Sequence, residues 1–157
     1  MMSKLLFISS ILIISLIFTN VFAEEKSQKL KGPIVITSET LTVDNEAHTA
    51  LFENSVVART TETTLHSDKM LVHYNSETGD ITQIDAEGNI KLTKGARAIV
   101  SKEATYYAEG EKIIFTGDPR AVEGENVVTG KKITYFLDND RFLVEDSKVF
   151  IKKQRGQ

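Results

Sequence analysis

The chain has no cysteine and no tryptophan, and only two prolines and three histidines among its 157 residues. Without cysteine there is no thiol nucleophile, no thiolate zinc site, no iron–sulfur cluster and no disulfide framework. The histidines give little to work with. His66 and His73 lie seven apart with Asp68 between them, but they have opposite strand parity and no third ligand in sequence reach, so neither a metal centre nor a cofactor is expected. The acid pairs Asp138/Asp140 and Glu123/Glu125 sit in turn-like sequence. With no tryptophan to serve as a sugar platform, they read as strand terminators rather than glycosidase carboxylates. Nineteen basic against 22 acidic residues give a net charge of −3, which implies no basic surface of the kind that neutralises nucleic-acid phosphates. Gly110, Gly117 and Gly124 are isolated turn glycines with no helix after them, so no phosphate-cradling loop is present. What remains is 41% hydrophobic and 26% charged, the composition of one ordinary globular domain.

Residues 1–23 read as a secretory signal peptide. Lys4 gives the positive start, Leu5 to Phe18 the apolar run, and Val21-Phe22-Ala23 a small-residue cleavage site. The run spans about 14 residues, short of the ~20 a membrane-spanning helix needs, and this favours cleavage over a retained anchor. The mature chain then starts at Glu24 and is destined for a place outside the cytoplasm. Residues 24–31 read as a loose segment, 32–151 as the folded domain and 152–157 as a tail.

No stretch of ten mature residues keeps a helical apolar period. Short β-branched and aromatic runs recur every 8 to 14 residues. They are separated by turn clusters at Asp44-Asn45, Asn75 to Asp80, Glu87-Gly88-Asn89, Lys94-Gly95, Glu109-Gly110, Gly117-Asp118-Pro119, Glu123 to Asn126 and Asp138 to Asp140. The pattern is all-β.

Self-comparison sharpens this. Starting at Ser38 and stepping forward 29, 34 and 29 residues reaches Ser67, Ser101 and Gly130. In that ungapped frame three columns are apolar in every copy: Ile36, Leu65, Ile99 and Val128; Leu41, Met70, Ala104 and Ile133; Val43, Val72, Tyr106 and Tyr135. A fourth holds Phe52, Ala86, Phe115 and Val144, followed within three residues by Asn54, Gly88, Gly117 and Asp146. Residues 41 and 43 share a strand face, whereas residue 36 has the other parity. A bend or bulge at the small-residue column must therefore slip the phase. Each repeat becomes a bent strand plus a return strand, stacked into a long antiparallel sheet pair with one apolar interior.

Pro33-Ile34-Val35-Ile36-Thr37-Ser38-Glu39, Phe115-Thr116-Gly117-Asp118-Pro119 and Val128-Thr129-Gly130-Lys131-Lys132-Ile133-Thr134-Tyr135, taken with the signal sequence, resemble the OstA-like (LptA) family of lipopolysaccharide-transport periplasmic proteins. The likeness covers Gly32 to about Ile151. It implies a β-jellyroll bent into an open, V-shaped trough, without catalytic activity, carrying lipopolysaccharide from inner to outer membrane and stacking head-to-tail. The implied partners are lipid A, the inner-membrane-anchored LptC at the N-terminal edge and the outer-membrane LptD at the C-terminal edge.

On this reading the acyl chains are lined by the columns, namely Ile36, Leu41, Val43, Phe52, Leu65, Met70, Val72, Ile99, Tyr106, Phe115, Val128, Ile133 and Tyr135, together with Ile34, Val56, Ile90 and Leu92. Ala58, Ala86 and Ala104 among larger neighbours leave room for a ligand. The nearly uncharged Ile34, Val35, Ile36 and Thr37, and Val149, Phe150 and Ile151 at the other end, are the edges for partner strands. Two alternatives stand: LptC itself, with the same fold and a retained N-terminal helix, and a structural β-repeat module whose columns are a filled core.

Overall fold

Alternation of apolar and polar residues, punctuated by residues that tolerate positive φ, builds twelve strands and no helix among the residues described. The structure, a computed structural model, describes residues 33–152; the signal peptide, the loose segment and all but the first residue of the tail lie outside them. The strands are β1 (Val35–Thr37), β2 (Thr40–Asp44), β3 (Thr49–Arg59), β4 (Thr64–Tyr74), β5 (Ile81–Lys94), β6 (Arg97–Tyr107), β7 (Lys112–Thr116), β8 (Arg120–Glu123), β9 (Asn126–Thr129), β10 (Lys132–Phe136), β11 (Arg141–Glu145) and β12 (Lys148–Phe150). All pairings are antiparallel and join the strands into one unclosed sheet.

The sheet is folded along a line that crosses every strand. The long strands β3 to β6 run through this line, and the short ones are interrupted by it, β1 before β2, β7 before β8, β9 before β10 and β11 before β12. One arm has the order β1-β3-β4-β5-β6-β8-β9-β12 and the other β2-β3-β4-β5-β6-β7-β10-β11, with β3 to β6 contributing one half to each. The antiparallel sheet pair expected from the column frame is thus present, in the jellyroll form that the family resemblance implied.

The bend lies where the small-residue column placed it. Register shifts fall between Glu53 and Val56, His66 and Lys69, and Glu87 and Ile90. Ser38 and Ser101 use the same device, a hydroxyl donating to the carbonyl two residues on, Thr40 O at 2.7 Å and Glu103 O at 2.8 Å. Gly130 occupies the fourth position because a Cβ there would stand 2.5 Å from Val144 Cγ1 and 2.6 Å from Glu145 O.

Two expectations need correction. The return strands are bent as well, because Asn54, Gly88, Gly117 and Asp146 all have positive φ, at 63°, 75°, 73° and 52°. The clusters Glu87-Gly88-Asn89 and Gly117-Asp118-Pro119 therefore carry the chain across the fold line without reversing it. The phase slip also puts His66 and His73 on the same outer face, on different arms. There His73 Nε2 meets Asp85 Oδ2 at 3.1 Å.

Candidate functional site

The inner faces of the two arms carry three rows of side chains, each running through eight strands. On the second arm, Leu41, Phe52, Met70, Ala86, Ala104, Phe115, Ile133 and Val144 are successive cross-strand partners. Beside them run Val43, Ala50, Val72, Ile84, Tyr106, Ile113, Tyr135 and Phe142. On the first arm the row is Ile36, Ala58, Leu65, Leu92, Ile99, Ala121, Val128 and Val149. Every member is apolar or a tyrosine. Cross-strand neighbours on one face are in side-chain contact, so each row is a continuous apolar track across the sheet.

The rows are buried in the middle, and each ends in one exposed and one half-buried residue. Met70, Phe115, Ile133 and Ile99 are fully buried at 0% exposure, whereas Leu41, Val43 and Val149 at the row ends are 52%, 53% and 53% exposed. Val56 and Ile90 lie at the bend, each buried, and form the floor between the arms. The arms meet over a cavity of about 50 Å³ to which Ile34, Ala58 and Leu65 contribute from one arm and Ala86, Ala104 and Tyr106 from the other. The alanines expected to leave room are where the space is, though it holds only a few waters. A second cavity of about 180 Å³ lies between Ala121 and Val128 on one arm and Phe142 and Val144 on the other.

All seventeen residues read from the sequence as lining face this interior or its mouth. Ala50, Ile84, Ile113 and Phe142 were missed. They were within reach, since each stands two residues before a member of the fourth column and so shares its strand face. The edges also differ from expectation, because each end of the sheet presents two strands rather than one, β1 with β2 and β11 with β12. Among the residues expected at the edges, Val35, Val149, Phe150 and Ile151 are exposed and Ile36 is half-buried.

Sequence reasoning also missed a polar cluster that spans the mouth from arm to arm. Lys94 and Arg97 flank the β5–β6 turn at the tip of the first arm; Tyr135 and the β10–β11 turn residue Asp140 belong to the second. Lys94 Nζ donates to Tyr135 Oη at 3.1 Å and to Asp140 Oδ1 at 3.3 Å, and Tyr135 Oη donates to Asp140 Oδ1 at 2.6 Å. Arg97 Nη1 reaches both Asp140 oxygens at 3.3 Å, while its Nη2 holds Glu123 on its own arm at 3.3 Å. Arg97 also lies 4.8 Å over the Phe142 ring, which stacks on Tyr135 at 4.5 Å. The Tyr135 hydroxyl, then Lys94 and Arg97, hold the Asp140 carboxyl below the usual carboxylate range. Burial raises the Tyr135 phenol, and the hydrogen bond to Tyr135 raises the Lys94 ammonium.

The architecture defines the class, that of unclosed antiparallel jellyrolls whose two arms turn apolar faces toward one another. Within that class the chain belongs to the LptA/(LptD N-terminal domain) LPS transport protein family, whose pattern matches residues 35–141. The fold is similar to the crystal structure of LptH from Pseudomonas aeruginosa, described as the LptA-homologous periplasmic component of the conserved lipopolysaccharide transport device. The TM-score is 0.70 at 12% identity, covering 80% of this chain and 99% of that one. Among curated proteins no match is found. The protein is accordingly a lipopolysaccharide-transport protein, and the structural-repeat alternative is set aside.

Proposed function

We propose that this protein is one non-catalytic segment of a periplasmic bridge. Lipid A acyl chains shelter between its arms while copies stack head-to-tail. The observation that carries this is the run of apolar rows through all eight strands of each arm, two on one and one on the other, with Leu41 and Val43 exposed at the β1/β2 end and Val149 at the β11/β12 end. A buried methylene gains about 0.8 kcal/mol whatever its position along such a track, so the interaction permits sliding and needs no charged anchor.

Strand parity supports the stacking. With eight strands in each arm, β11 runs opposite to β2 and β12 opposite to β1. A second copy added at the end therefore continues the antiparallel alternation in both arms at once. In that junction Val144 follows onto Leu41, Phe142 onto Val43 and Val149 onto Ile36, so each row extends unbroken. Within the bridge, the β1/β2 end faces the membrane-anchored LptC and the β11/β12 end faces LptD. Residues 1–23 serve as the cleaved export signal, and the lining set named from the sequence, Ile34 and Leu92 included, contacts the acyl chains.

Photo-crosslinking tests this. A benzophenone side chain at Leu41, exposed on the inward face, is expected to capture lipopolysaccharide, while the same group at the adjacent outward Thr42 captures little. Equal capture from both positions would contradict a directed trough.

A further inference from the structure

Across the mouth of the trough, Lys94 and Arg97 on one arm grip Tyr135 and Asp140 on the other. The cavity nearer the N-terminal end is bounded instead by apolar and threonine side chains such as Ile34, Thr60 and Thr63. The trough is thus clasped towards its β10/β11 side. Directly beneath the clasp lies the larger cavity, walled by Arg97, Val128, Phe142 and Val144. From these placements we infer that the Lys94–Arg97–Tyr135–Asp140 cluster is a latch that holds the arms together and must part to let acyl chains pass through the C-terminal half of the trough. The inference rests on the lipid-carrier reading for the identity of what passes, and on geometry alone for the latch.

Three features suit the cluster to opening rather than to permanent closure. It joins the tips of the arms, farthest from the fold line, where a small hinge motion gives the largest separation. Its ion pairs are partly exposed, and such pairs contribute little each, so their loss does not threaten the fold. The cluster also borders the space it would open, because Arg97 lines the cavity between Val128 on one arm and Phe142 and Val144 on the other. Both cations are already matched by Asp140, Glu123 and Glu62, which makes the cluster a clasp and not a vacant anion site.

The absence of native cysteine makes the test direct. Spin labels at Thr61→Cys and Glu109→Cys, exposed turn positions at the tips of opposite arms, report the separation of the arms by electron–electron double resonance. Asp140→Asn removes the charge, and asparagine suits the φ of 55° at that position, so the turn is kept. The variant is expected to raise the ratio of wide to narrow separations by about threefold to tenfold over the parent, the scale of a few weak ion pairs. Neutralising the neighbour, Asp138→Asn, is expected to leave the ratio unchanged. Uptake of purified lipid A, followed by displacement of N-phenyl-1-naphthylamine, should accelerate in Asp140→Asn by a similar factor. An unchanged separation in Asp140→Asn overturns the latch. A widened separation with no lipid A uptake by either protein sustains the latch and overturns the lipid-carrier reading.

Discussion

Asp140 shows how one side chain can tie local chemistry to the shape of the molecule. Its positive φ belongs to the β10–β11 turn, and its carboxylate accepts a hydrogen bond from the Tyr135 hydroxyl and pairs with two cations from the other arm. Because its folded pKa is lowered, its contribution is present above the ordinary carboxylate pKa of about 3.9 and is lost as the pH falls through the folded value. Carbon-13 NMR titration is therefore expected to put the Asp140 midpoint below that of a model aspartate, and Tyr135→Phe should move it back up by removing the leading donor. An unmoved midpoint in Tyr135→Phe would show that the hydroxyl is not what holds the charge. None of this was legible in the sequence. Lys94, Arg97, Asp140 and Glu123 all stand in or beside turns, where charge reads as ordinary solvation, and only the fold brings positions 94 and 140 to 3.3 Å.

At the scale of the strands, the fold line decides everything downstream, because it returns residues of opposite parity to one face. At Gly130 the obstacle includes backbone: an added methyl would meet both Val144 and the Glu145 carbonyl. Gly130→Ala is expected to destabilise the domain by about 1–3 kcal/mol, the usual cost of overpacking, read as a lowered urea midpoint at constant slope. Destabilisation within 0.3 kcal/mol, on the order of measurement error, would mean that the bend yields freely. The fold line was readable in advance, since Ser38, Ser67, Ser101 and Gly130 stand at the same place between the apolar columns of each repeat, and Ile36 and Leu41 differ in parity. The bend in the return strands was harder to see. Gly88-Asn89 and Gly117-Asp118 carry the same residue types as true reversals such as Lys94-Gly95, and positive φ serves both. Only the pairing of strands on either side tells a bulge from a hairpin.

At the scale of the whole molecule, the apolar columns of the sequence become tracks across the sheet, exposed at Leu41 and Val43 on one end of the molecule and at Val149 on the other. The columns were visible because each repeat returns the same face to the interior. The two-strand ends were not, because β2 and β11 become edges only once the sheet is folded into two arms. Lysine placed on an inward position of an edge strand is a known device for blocking strand addition. Val43→Lys should thus close the β1/β2 end and Val149→Lys the β11/β12 end, both at half-exposed sites that tolerate charge without unfolding.

Sedimentation velocity on the mature protein over a wide concentration range tests the stacked bridge most directly. The parent should grow steadily with concentration, since the contact is heterologous and does not close. Each variant alone should remain a monomer, and an equimolar mixture of the two should stop at a heterodimer, joined through the one intact end of each. A parent that stays monomeric throughout, or two variants that each assemble as the parent does, would contradict the account.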